Sequence, residues 1–148
     1  MYIKIGKFIA KHKILFYILT YTWGILQTII GLFVAGFLLI FKKAEIKKDI
    51  DNTEIIYLKL KQRKSYSFSI GTTIVCGFKD RDVIRHELGH SIQNAIFGPF
   101  AIFIVSIPSA IRYWYRELKI RKKKELKTGY YDIWFESSAN ELGRNWWL

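Results

Sequence analysis

One cysteine, two prolines, three histidines and half as many acidic as basic residues are what this 148-residue chain has least of. The single Cys76 excludes an intramolecular disulfide and any cysteine-based metal site. As a nucleophile it would need a basic partner, so it reads as a buried, inert thiol. No G-x-S-x-G elbow is present to support serine catalysis. There is no internal repeat, low-complexity tract or interdomain linker, and 148 residues suit one domain. Twelve acidic residues against 24 Lys and Arg leave a net charge of +12. The basic residues cluster beside apolar segments and Trp/Tyr with no recognisable nucleic-acid module, so no nucleic-acid partner is expected. An anionic lipid leaflet is the simpler counterpart. Arg121-Lys122-Lys123-Lys124 also reads as nothing more than a solvated helix face.

Apolar residues, by contrast, make up 51% of the chain. Ile14 to Phe41 is 28 consecutive residues without a formal charge, enough to span roughly 30 Å of hydrocarbon with some tilt. Lys4, Lys7, Lys11 and Lys13 precede it, and Lys42, Lys43, Lys47 and Lys48 follow. Residues 14–41 are therefore expected to form a transmembrane helix in which Gly24, Gly31 and Gly36 allow close packing and Gln27 seeks a polar partner. The run is too long for the apolar core of a signal peptide. A second apolar run, residues 95–113, is near the minimum length for a span and is interrupted by Pro99 and Pro108. Tyr113-Trp114-Tyr115 and a basic stretch follow it, as at a headgroup boundary. It is expected to be a short membrane or re-entrant segment, because a simple crossing would separate the two halves of the site described next.

That site begins at His86-Glu87-Leu88-Gly89-His90, an H-E-x-x-H sequence. On a helix, residues four apart share a face, so both imidazoles can reach one zinc ion. Glu87 lies beside the ion, where it can take a proton from an activated water and return it to a leaving group. The surroundings predict a helix over 80–97. Lys79-Asp80-Arg81-Asp82 supplies capping carboxylates, Gly98-Pro99 supplies a stop, and Gly89 lets a neighbouring element come close. Upstream, residues 53–78 are expected to hold strands. Glu54 to Leu60 is one candidate. Ser65 to Ile70 is another, with Tyr66, Phe68 and Ile70 on one face and three serines on the other. Gly71 permits a bend, and residues 70–75 are the candidate edge for a substrate backbone added as a strand.

Two histidines are an incomplete catalytic zinc site, which normally has three protein ligands. Position 96 is Ile96 where a metzincin would carry histidine, and His12 lies in a basic N-terminal arm. The third ligand must be a downstream carboxylate: Glu136, Glu141 or Asp132. Glu136-Ser137-Ser138-Ala139-Asn140 resembles the second motif of the gluzincins, E-x-x-x-D on a helix. That resemblance implies Glu136 as third ligand, on a helix over 130–143. It also makes Asn140 a neutral substitute for the aspartate that orients a ligand histidine. Arg85 to Gln93, then Gly98-Pro99, Ile107-Pro108-Ser109 and Glu136-x-x-Ala139-Asn140-x-Leu142-Gly143, also resembles a group of small bacterial membrane proteins. Over about residues 65–143, this implies a metal-dependent peptidase. Site-2 proteases share H-E-x-G-H, but this chain lacks their Leu-Asp-Gly segment.

The expectation is thus a single-domain α+β membrane protein over 1–148. Its parts are an N-terminal transmembrane helix, a short β-sheet or hairpin, the H-E-x-x-H helix, a Pro-interrupted hydrophobic segment and a C-terminal ligand helix. Its function would be zinc-dependent hydrolysis of a peptide bond, with metal on His86, His90 and Glu136, Glu87 as base and Asn140 behind the histidines. Tyr130, Tyr131 and Arg144 are the candidates to stabilise an oxyanion. Integral placement in a cell membrane, with the site near the cytoplasmic interface, membrane lipids and a peptide or protein substrate as partners, and possible self-association complete it. The alternatives are a non-catalytic scaffold or immunity-type membrane protein with structural or no zinc, and a zinc hydrolase of a lipid amide.

Overall fold

In the computed structural model, residues 1–48 and 55–146 are described. Within them are six α-helices and a four-stranded sheet. In chain order the elements are α1 (Tyr2–Lys11), α2 (Lys13–Tyr21), α3 (Ile25–Ile40), β1 (Ala44–Lys48), β2 (Ile56–Leu60), β3 (Ser67–Ile70), β4 (Thr73–Cys76), α4 (Arg81–Phe97), α5 (Ile107–Arg121) and α6 (Trp134–Arg144). The start of the first expected strand, at Thr53 and Glu54, and the terminal Trp147-Leu148 lie outside the described residues.

The expected transmembrane helix over 14–41 is corrected by this structure. Its residues divide into α2 and α3, which meet at 90° around Thr22-Trp23-Gly24. The reason lies in the polar residues scattered through the uncharged run. The hydroxyls of Thr20 and Thr22 donate to the carbonyls of Phe16 (2.9 Å) and Ile18 (2.6 Å) within α2, a back-bonding that bends helices. Thr28 Oγ1 then reaches across the corner to Thr20 O at 2.7 Å. Gln27 Nε2 donates to Gly98 O (2.6 Å) and Trp23 Nε1 to Ile96 O (3.3 Å), pinning the corner to the end of α4. Among the described residues no single helix is long and apolar enough to cross a membrane. The integral membrane placement, and the cytoplasmic-interface position derived from it, fall with the span.

The segment expected over 95–113 is divided as well. Here α4 runs to Phe97 and Gly98 turns the chain at φ 56°. A 3-10 turn over Gly98–Phe100 and a π-turn over Ile102–Ser106 lead into α5, with Pro108 in its first turn. Proline is tolerated there because that position needs no donor.

The sheet order is β1-β2-β4-β3. Gly71 at φ 58° closes the β3–β4 hairpin, in which Ile70 faces Thr73 and Ser67 faces Cys76. β4, buried along its whole length, lies between β3 and β2, the latter paired to it in parallel at Leu58↔Val75. One face of the sheet packs on α4. The C-terminal helix α6 crosses the same helix with almost no gap: a side chain at Gly89 would run into the backbone of Ala139, and one at Gly143 into that of Arg85. Leu88, Ile92 and Leu142 fill the remaining space.

This approach predicts that Gly89→Ala lowers unfolding free energy by up to about 2 kcal/mol in chemical denaturation. Overpacking costs about 1–3 kcal/mol, against a helix-propensity gain of about 1 kcal/mol for alanine over glycine.

Candidate metal centre

The centre of α4 is buried on all sides, from His86 through Ala95. Asp80 starts the helix, its Oδ1 accepting from the amides of Asp82 (2.9 Å) and Val83 (3.2 Å). One turn and a half later His86 and His90 stand side by side, their rings edge-to-face with centroids 4.7 Å apart. Glu136, in the first turn of α6, is fully buried between them.

Three atoms converge: His86 Nε2, His90 Nε2 and Glu136 Oε2. The two nitrogens are 3.1 Å apart and lie 3.0 and 3.3 Å from the carboxylate oxygen. That oxygen is buried and accepts no well-directed hydrogen bond. Ligand atoms at three corners of a tetrahedron, each about 2.0–2.1 Å from an ion, stand about 3.4 Å from one another. The observed spacings are close to that figure. A buried carboxylate oxygen without a directed partner, beside two ring nitrogens, is the donor set of a metal site, and this cluster could hold a metal ion.

Each ligand side chain is fixed from behind. Asn140 Oδ1 meets His86 Nδ1 at 3.0 Å, and Gln93 Oε1 meets His90 Nδ1 at 2.7 Å. A carbonyl oxygen can only accept, so these contacts favour the hydrogen on Nδ1 of both rings, with Nε2 presented to the centre. Ser109 Oγ donates to Glu136 Oε1 at 2.6 Å, leaving Oε2 as the converging atom.

The electrostatics follow from this crowding. Burial pushes the Glu136 carboxyl up, but the two imidazoles and the Ser109 hydroxyl more than offset it and hold the group well below the usual carboxylate range. Burial raises Glu87, and the charge of Glu136 adds to the rise while the two histidines oppose it. Burial disfavours charge on His90, yet Glu136 and Glu87 raise it overall. Cys76 is pushed up to about 12 by burial and then by Glu87, which makes it a thiol without nucleophilic character at neutral pH.

His86, Glu87 and His90 open onto a cleft of about 480 Å³ between β3 and α5. Residues 66–70 form one wall, and Val105, Ser109, Tyr113 and Trp114 the other. The strand that lines the cleft is β3, at the sheet edge. The expected edge, residues 70–75, is displaced because Gly71 closes a hairpin and sends Thr73–Cys76 into the middle of the sheet.

The remaining candidates separate by position. Glu141 is half exposed and paired with Lys7 across 2.5 Å, and Asp132 accepts from the Gly129 amide at 2.5 Å; neither joins the cluster. His12 is exposed and bonded to Phe8 O at 2.7 Å. Tyr130 lines the cleft, with its phenol pushed up by burial and by Glu136, and the Tyr131 ring stands edge-on to His86 at 5.2 Å. Arg144 is exposed on the last turn of α6. Two residues at the centre escaped the sequence reading as functional groups. Gln93 sits one turn after His90, and Ser109 sits in the Ile107-Pro108-Ser109 run. Their only signal was membership of the quoted motifs.

Compared with protein-family models, with curated proteins and with solved structures, the chain matches none.

Because Ser109 holds the unused oxygen of Glu136, Ser109→Ala is expected to weaken metal binding about 10-fold or more in a chelator competition. Affinity equal to wild type would show that Glu136 needs no support from α5.

Proposed function

We propose that this protein is a zinc-dependent peptidase of gluzincin-like chemistry. The observation that carries the proposal is the convergence of His86, His90 and Glu136 at tetrahedral spacing, beside a glutamate that opens on a cleft. Two neutral imidazoles and one carboxylate are a donor set that zinc accepts, with a position left for water or substrate. A bound zinc would act as Lewis acid toward the scissile carbonyl and lower the pKa of a water in that open position.

The chain's own residues supply the rest. Burial raises the Glu87 carboxyl above its ordinary value, the direction that suits a group that must accept a proton and hand it on. Ser69 lies beside it on β3. Tyr130 stays protonated across the physiological range, so its phenol can donate a hydrogen bond into the cleft. The β3 backbone offers an edge along which an extended peptide can lie and reach Glu87. Asn140 brings no charge to His86, leaving Glu136 as the anionic ligand.

The test is metal content with activity. Purified protein should bind about one zinc per chain, and His86→Ala or Glu136→Ala should lose or loosen it. Glu87→Gln should keep zinc but cleave a peptide library about 100- to 10,000-fold more slowly, the usual contribution of a general base. Cleavage by Glu87→Gln at the wild-type rate would refute the mechanism.

A further inference from the structure

Resting on the metal centre proposed above, we infer that Gln93 is a positioning residue with two simultaneous tasks. It fixes which nitrogen His90 offers to the ion, and it ties the helix of the two histidines to the helix turn that carries Glu136. The amide is fully buried and its hydrogen bonds are divided without redundancy. Oε1 accepts from His90 Nδ1 at 2.7 Å, while Nε2 donates to Phe135 O at 2.7 Å and to Ser138 Oγ at 2.8 Å. Ser138 Oγ in turn donates to Phe135 O at 3.3 Å, so it presents lone pairs rather than a hydrogen to Gln93.

These partners dictate the orientation of the amide. Its two N–H bonds are taken by acceptors on α6, which forces the carbonyl toward His90 and the hydrogen of that ring onto Nδ1. The Nε2 lone pair then faces the centre. Phe135 and Ser138 flank Glu136 in the first turn of α6, so the same side chain sets the height of the third ligand relative to the second. A carboxylate, the commonest partner of a metal-bound histidine, could serve His90 at this position. It could serve α6 only through the Ser138 hydroxyl turned round to donate, and it would leave Phe135 O without its donor and bury a charge beside that carbonyl. The doubling of tasks therefore selects glutamine over glutamate.

The experiment is a zinc titration against a chelator of known affinity, for wild type, Gln93→Met and Gln93→Glu, with circular dichroism on each. Gln93→Met keeps the volume and removes both polar ends; its zinc affinity should fall about 10- to 100-fold. Gln93→Glu keeps the acceptor for His90 but should also bind zinc more weakly than wild type. A folded Gln93→Met with wild-type affinity overturns the inference, and so does a Gln93→Glu that equals or exceeds wild type. Should the variants fail to fold, nitrogen-15 spectra of the zinc-loaded wild type decide. A hydrogen on His90 Nδ1 supports the assignment and one on Nε2 overturns it. Wild type that binds no zinc would overturn the metal reading itself, an outcome distinct from tight binding by a folded Gln93→Met.

Discussion

The backbone contact between α4 and α6 is the constraint on which the rest of the molecule depends. Gly89 and Gly143 each remove the one atom that would hold the helices apart. Only at that separation can Glu136 reach the two histidines, and only there do Asn140 and Gln93 bridge from one helix to the other. Glycine weakens a helix interior by about 1 kcal/mol, so its presence in the middle of the motif is a local cost accepted for a tertiary contact. The sheet and the α1–α3 layer close around this pair.

What the two helices enclose is polar to an unusual degree. Glu87, Glu136, both histidines, Gln93, Asn94 and Ser138 are all buried. Removing a carboxylate from water costs several kcal/mol unless it is compensated. Glu136 is compensated by the imidazoles and by Ser109, whereas Glu87 is not to the same degree, and its proton affinity rises. One fold thus holds two carboxylates displaced in opposite directions, Glu136 toward the charged form and Glu87 toward the protonated one.

How much of this was legible in the sequence depends on range. The N-cap at Asp80, the pairing of two histidines on a helix face and the close approach at Gly89 are consequences of spacing within one helix, and they could be reasoned out residue by residue. The corner at Thr22-Trp23-Gly24 could not. Absence of charge over 28 residues reads as one continuous span, while the Gln27 amide and the Trp23 indole that pin the corner act through partners 71 and 73 positions away. The position of β3 at the sheet edge depends on Gly71 making a tight turn rather than a bend, a difference of one peptide conformation. Gln93 and Ser109 stayed silent for a further reason: a neutral side chain discloses nothing of its role until its acceptor is known.

The wall of the cleft formed by α5 has a different basis from the rest of the fold. None of its residues is buried. It is held by Ser109 on Glu136 and by Arg112 and Arg116, whose guanidinium groups donate to the carbonyls of Tyr130, Gly129 and Thr128. Water competes with such contacts far better than with a packed core, and the π-turn before α5 is a backbone irregularity of the kind found at functional sites. Width at the mouth and solidity at the centre are consequently separate properties of this molecule. The floor is set by packed helices, while the opposite bank is held by a few hydrogen bonds and by half-buried side chains.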